Sequence, residues 1–155
     1  MMSPDNKIYF AGFILILLFL IFYLKPKTAE IKISGKVLIT EVADNPLTRS
    51  KGLMFRNSAS PILFVFSKPT TESFWMKNVN FPLDIIWIDA DKKIIGTDRM
   101  ETCGGVNRSR EAATMPFGEC KTYSPPAEIK YALEVEAGFV EKNKIKVGGT
   151  LEINL

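Results

Sequence analysis

Histidine is absent from the 155 residues. That excludes imidazole acid–base catalysis and histidine-ligated metal sites at once. Cysteine is nearly absent, with two residues, Cys103 and Cys120. Net charge is small too: the formal balance is +3, and no Lys/Arg run exceeds two residues. A balance so small gives no footprint for a nucleic-acid partner. There is no internal repeat and no low-complexity segment. Any chemistry must therefore come from carboxylates, lysine, tyrosine, cysteine, serine or threonine.

What is present begins with one long apolar block. Residues 8–24 carry no charge and are bounded by Lys7 on one side and by Lys25, Pro26 and Lys27 on the other. At ~1.5 Å per residue a helix over this block spans about 25 Å, slightly short of a ~30 Å hydrocarbon core. Tyr9, Tyr23 and the flanking lysines cover the difference by reaching to the interface. A cleaved signal peptide would have a similar length. No small-residue cleavage site follows, and Leu24-Lys25-Pro26-Lys27 is a poor one. The reading is an uncleaved signal anchor whose partner is the lipid bilayer. The chain then divides into a tail, 1–7; the transmembrane segment, 8–24; a linker and first strand, 25–35; and a β-rich domain, 36–155.

Sidedness pulls two ways. Lys25, Lys27, Lys32 and Lys36 outnumber Lys7, and the positive-inside rule alone would hold the domain in the cytoplasm. The very short tail and the cysteine pair favour the opposite side, and the expectation is a single-pass protein with its domain outside the cytoplasm.

Beyond the block the period is two. Glu30 to Ala43 alternates around Gly35. Pro61 to Phe66 is a short apolar run. Phe74 to Met76, Leu83 to Ala90, Lys93 to Thr97, Ile129 to Val135 and Leu151 to Leu155 complete the strands. Asn45 and Pro46 open a helix as N-cap and first residue, and Gly52 stops it after Lys51. Ala137 to Asn143 makes a second short helix. Lys68 to Thr71 reads as a loop, and Arg99 to Pro126 as a long one. Seven or eight short strands with two short helices predict a mainly β fold, a compact antiparallel β-sandwich or barrel behind one transmembrane helix.

One stretch is peculiar. Phe74-Trp75-Met76-Lys77-Asn78 and Leu83-Asp84-Ile85-Ile86-Trp87-Ile88 are highly aromatic and apolar, yet Lys77, Asn78 and Asp84 interrupt them. Asp84 shares a strand face with Ile86 and Ile88. A carboxylate on such a face needs partners or neutralisation. It can pair with Arg49, Arg56 or Lys77, or cap backbone N–H groups, which is a structural role. It can also line a small aromatic-walled pocket with Trp75, Asn78 and Tyr123 for a small-molecule or cell-envelope ligand. The basic cluster Arg49 to Arg56 is expected beneath it, around a buried Leu53-Met54-Phe55. Glu134 and Glu136, on an alternating strand, read as a solvated face.

Cys103 and Cys120 read as a disulfide outside the cell. A two-thiolate metal site or a redox pair is the alternative, and Met54, Met76, Met100 and Met115 would add thioethers suited to Cu(I). Core filling explains the methionines. No metal or cofactor is assigned.

Arg49…Gly52-Leu53-Met54-Phe55-Arg56, Leu63-Phe64-Val65-Phe66, Phe74-Trp75-Met76-Lys77-Asn78, Pro82-Leu83-Asp84-Ile85 and Leu133-Glu134-Val135…Ala137-Gly138 follow one another in this order. The set resembles domain of unknown function 192, also called uncharacterised protein family 0127, over about Lys36 to Leu155. The resemblance implies a compact β-rich domain behind a signal sequence or anchor, facing outside, and implies no reaction. Members often carry two cysteines a few residues apart before the tyrosine that matches Tyr123, whereas sixteen residues separate them here. Two functions remain: a non-catalytic binding or structural module at the envelope, and a carboxylate-dependent hydrolase using Asp84.

Overall fold

A computed structural model describes residues 10, 12–16, 26–103 and 120–155. Residues 10 and 12–16 are helical, and most of the expected membrane segment 8–24 lies outside the described residues. Among the described residues no helix is long and apolar enough to cross a membrane. Met115 and most of the long loop also lie outside them.

The described residues form nine strands, β1 (Thr28–Ile33), β2 (Lys36–Ala43), β3 (Ile62–Thr70), β4 (Phe74–Trp75), β5 (Leu83–Ile88), β6 (Ile94–Met100), β7 (Thr122–Tyr123), β8 (Ile129–Glu136) and β9 (Leu151–Asn154). Two short helices join them, α1 (Pro46–Lys51) and α2 (Phe139–Lys142). Seven strands make one sheet in the order β6-β5-β8-β3-β2-β1-β9; β4 and β7 form a separate two-stranded ladder.

The sheet is mainly β as expected, but it is not a purely antiparallel sandwich. β2 and β3 pair in parallel, Glu41 opposite Ile62 and Ala43 opposite Phe64. A parallel neighbour needs a crossover, and the helix α1 with the loop after it supplies one. The sheet curls into a half-barrel: Lys93 bridges Thr150, and Leu151 N–H donates to the Lys92 carbonyl at 3.1 Å. The edge strand β9 thus leans back onto the turn between β5 and β6, which shortens the exposed edge.

β1, the strand expected within residues 25–35, lies inside the sheet between β2 and β9. Ser34 and Gly35, with φ of 45° and 73°, turn β1 into β2, as a two-residue hairpin of that kind requires. β3 runs on through Pro69, where a loop was expected; the register with β8 shifts between Val65 and Thr70, so the ladder does not depend on a proline N–H.

The curled sheet is covered on both faces. All six residues of β5 are buried. On one face Leu83, Ile85 and Trp87 pack with Phe64, Phe66, Phe74, Met76 and Met100 beneath the β4–β7 ladder. On the other, Ile86 and Ile88 pack with Ile31, Leu133, Val135, Phe139 and Ile153. Alternation along one strand thus feeds two cores, as expected of a strand buried on both sides. Trp87 Nε1 donates to Asp98 at 2.7 Å, which satisfies the one polar atom of a fully buried indole.

Candidate functional site

The site grows from β8, the third strand of the sheet. Its residues Ala132 and Glu134 point to the face that carries Phe64, Phe66 and Phe74. Glu134 lies in register with Ile62 on β3 and Ile85 on β5, so aliphatic side chains flank it on both sides. It is 5% exposed. No hydrogen bond or ion pair from a described residue reaches its carboxyl. Burial without a compensating charge pushes its pKa up from 4.5 to about 8. Glu134 is therefore a neutral acid at neutral pH, able to donate one hydrogen bond and accept others. The solvated face expected for it is corrected: α1, the loop after it and β4 cross over this face and leave Glu134 almost wholly covered.

What they leave is a cavity of about 370 Å³ lined by Glu134 together with Arg49, Lys51, Gly52, Leu53, Met54, Phe64, Phe66, Glu72, Phe74 and Trp75. The volume falls within the range of small-ligand sites. Among the described residues every fully enclosed side-chain nitrogen or oxygen has a partner, so the unpaired Glu134 carboxyl must look into the cavity space.

The aromatic wall is held by edge contacts. Phe64 and Phe74 have centroids 4.9 Å apart at 81°, and Phe74 and Trp87 5.2 Å apart at 70°. Such T-shaped pairs fix ring orientation. Trp75, next along β4, points outward and is 50% exposed, with Lys77 Nζ 5.0 Å above its ring.

Arg49 comes from α1. Asn45 caps that helix, its side chain accepting from Thr48 N–H while Asn45 N–H donates to Thr48 Oγ1, and Pro46 starts it. This is the helix the sequence predicts. Its last turn delivers Arg49, whose guanidinium lies 5.1 Å from the Phe66 ring centroid and donates one long bond, 3.4 Å, to the Val65 carbonyl.

Two backbone corners stand beside the cavity. Phe55 and Asn78 both have positive φ, 63° and 56°, and Phe55 N–H donates to the Asn78 carbonyl at 2.9 Å. Asparagine tolerates this region; phenylalanine does so at a cost. Phe55 is 76% exposed and Met54 only half-buried, so Leu53 alone of that trio joins the core.

The other sequence candidates go elsewhere. Arg56 binds Glu41 with two parallel bonds, NH2 to Oε2 at 2.6 Å, and also donates to Ser60. That hydrogen-bonded arginine holds the Glu41 carboxyl below its usual range. Tyr123 is buried, and its hydroxyl accepts from Glu101 N–H at 2.8 Å. Asn78 is an exposed turn residue.

Asp84 is buried on the opposite face of the sheet from Trp75. Arg99 Nε donates to its Oδ1 at 2.8 Å, and Gly138 and Val140 N–H both donate to its Oδ2 at 2.9 Å. It caps α2 and ties that helix to β6. Its arginine is therefore none of those anticipated, and both of its oxygens accept hydrogen bonds from the protein. Cys103 and Cys120 are disulfide-bonded, so neither is a thiolate ligand.

Glu134 was missed because alternation alone put it with Lys130 and Glu136. The signal lay in Ala132, an apolar residue on that same face.

Comparison with known proteins adds the lineage. A family model, DUF192, described as uncharacterized ACR, matches residues 29–153. A UPF0127 protein of Pyrococcus abyssi is 24% identical over 131 residues, 81% of this chain and 92% of that one. A solved protein of unknown function from Novosphingobium aromaticivorans superposes with a TM-score of 0.62 at 21% identity, covering 82% of this chain and 84% of its own. A second, from Sinorhizobium meliloti and named for a proposed role in regulating transcription, gives 0.63 at 27% identity over 83% and 94%.

Proposed function

The chain belongs to the DUF192 family of uncharacterised proteins, and from that premise we propose that its β domain is a binding module that takes a small molecule into the Glu134 cavity. One observation carries the reading: a carboxyl group 5% exposed, without a protein partner, facing a cavity of about 370 Å³. A ligand group entering the cavity can hydrogen-bond this carboxyl, while the rings of Phe64, Phe66, Phe74 and Trp75 supply apolar contact.

The module works at the cell envelope, on the outer side of the membrane, held by residues 8–24 as an anchor. The apolar block with its lysine flanks supports the anchor, and the Cys103–Cys120 disulfide supports an oxidising compartment.

The test is a calorimetric screen of the full chain in detergent micelles against cell-envelope sugars and peptides, with Glu134→Ala and Trp75→Ala alongside. A ligand that binds the parent and is lost in both variants, with folding retained, is the expected result. Ligands indifferent to both substitutions would move the site elsewhere. Labelling of Cys103 or Cys120 in intact cells by an impermeant thiol reagent, only after reduction, is expected for the outer location.

A further inference from the structure

The cavity holds a second unpaired group besides Glu134. Three arginines lie among the described residues. Arg56 has Glu41 and Arg99 has Asp84, whereas no carboxylate among the described residues pairs with Arg49. Arg49 is half-buried, its guanidinium carbon 5.1 Å from the Phe66 ring centroid, and among the described residues its only hydrogen bond is a long one to a carbonyl. The cation–π contact places the guanidinium while leaving most of its donors unspent. A partly buried arginine normally spends them on a carboxylate, as Arg56 does here.

Arg49 and Glu134 line the same cavity yet do not touch each other. With Glu134 neutral, the charged groups on the wall are Arg49, Lys51 and Glu72, and they leave one net positive charge. The rings of Phe64, Phe66 and Phe74 line the same cavity.

We propose that the ligand of this cavity is a small organic monoanion, a carboxylate with an aromatic or apolar body, whose carboxylate sits on the Arg49 fork. Its far end meets the Glu134 carboxyl. This rests on the binding-module reading and names the class of ligand. A planar fork matches a carboxylate with two parallel hydrogen bonds, and one net positive charge is neutralised by one negative one. A neutral sugar would leave Arg49 without a counter-charge. The high pKa of Glu134 supports the assignment, because ionisation there would cancel the positive charge that attracts the anion.

The probes are 3-phenylpropionate, its neutral amide 3-phenylpropanamide, and phenyl phosphate. They are titrated into the full chain in micelles by calorimetry and by Trp75 indole NMR shifts. The acid is expected to bind at least about tenfold more tightly than the amide, the worth of a charge-assisted pair. Arg49→Gln is expected to abolish that preference, and Arg49→Lys to reduce it, with melting temperatures confirming that both fold. The acid's affinity is expected to fall above pH 8 in the parent and to lose that dependence in Glu134→Gln. Phenyl phosphate binding more tightly than the carboxylate would overturn the carboxylate assignment. Acid and amide binding alike, with Arg49→Gln changing neither, would overturn the anion assignment and leave the binding module standing. Absence of saturable binding by all three probes, while a neutral sugar or peptide binds in a Trp75-dependent way, would also overturn the anion alone. No ligand of any kind overturns both.

Discussion

Arg49 and Glu134 face one cavity with opposite potential charges and are not paired. In a collapsed interior an arginine and a glutamate so placed would close on each other, since an ion pair relieves both desolvation costs. Here α1 holds Arg49 against Phe66, and β8 fixes Glu134 between Ile62 and Ile85. Neither element can move without breaking its cap or its ladder. The protein therefore keeps a buried acid neutral instead of pairing it, and a space stays open between two unspent polar groups.

The first consequence is a pH dependence of stability. Glu134 has a folded pKa of about 8 against 4.5 in the unfolded chain. Between those values the folded state holds a proton that the unfolded state has lost, so stability falls as pH rises. The slope is ~1.4 kcal/mol per pH unit, and the whole window is worth on the order of 5 kcal/mol. Chemical denaturation at intervals from pH 5 to 9 should show this decline, flattening above pH 8. Glu134→Gln should remove it and be the more stable protein at pH 8.5. Glu41 does not confuse the measurement: its pKa is lowered by Arg56, so its contribution is lost only as pH falls below the window.

The second concerns Asp84. Its carboxylate accepts from Arg99 and from two backbone N–H groups of the α2 cap. Asp84→Ala strips three donors of their partner inside a packed face and should cost ~2–4 kcal/mol. Arg99→Ala leaves the two backbone bonds in place, and the arginine side chain is 47% exposed, so a loss of about 1 kcal/mol is expected. Urea midpoints for the two variants check the order. Equal losses would mean that the α2 cap contributes nothing.

The third concerns the disulfide. Cys103 and Cys120 are 17 positions apart, and closing such a loop constrains the unfolded chain by ~3 kcal/mol. Cys103→Ser with Cys120→Ser should lower the unfolding free energy by about that amount. Ligand binding should survive, because neither residue lines the Glu134 cavity. Parent protein unfolded in the presence of a reductant should match the double variant.

How much of this was written in the chain depends on how local the cause is. α1 was legible from Asn45, Pro46 and Gly52, because caps act within one turn. Most strands were legible from alternation. Asp84 was recognisable as an acid on an apolar face, and its partner was within reach: counting outward from the Asp91–Lys92 turn puts Arg99 opposite Asp84, as observed. The parallel pairing of β2 with β3 and the curl of the sheet were not legible, since both depend on contacts far apart in sequence. The same holds for Glu134. Whether the second face of β8 meets water is decided by α1 and β4 crossing over it, and nothing within β8 records that, beyond the small apolar Ala132.

The last prediction tests the cavity wall itself. Gly52 ends α1 at φ 44° and ψ −125°, a backbone region that side chains other than hydrogen rarely enter. A Cβ there would also lie 3.3 Å from Phe64 Cζ, on the ring that edges into Phe74. Gly52→Ala should therefore suffer twice, by backbone strain of ~1–3 kcal/mol and by displacement of an aromatic wall. Gly148 separates the two effects, because its φ is 90° and a Cβ there meets nothing within 4 Å. Gly148→Ala should lose stability through strain alone and leave Phe64 undisturbed. Thermal unfolding should rank Gly52→Ala below Gly148→Ala, and aromatic NMR shifts of Phe64 and Phe74 should move only in the former. If Gly52→Ala weakens ligand binding while Gly148→Ala does not, the wall that Phe64 forms is part of the site and the loss cannot be put down to lowered stability.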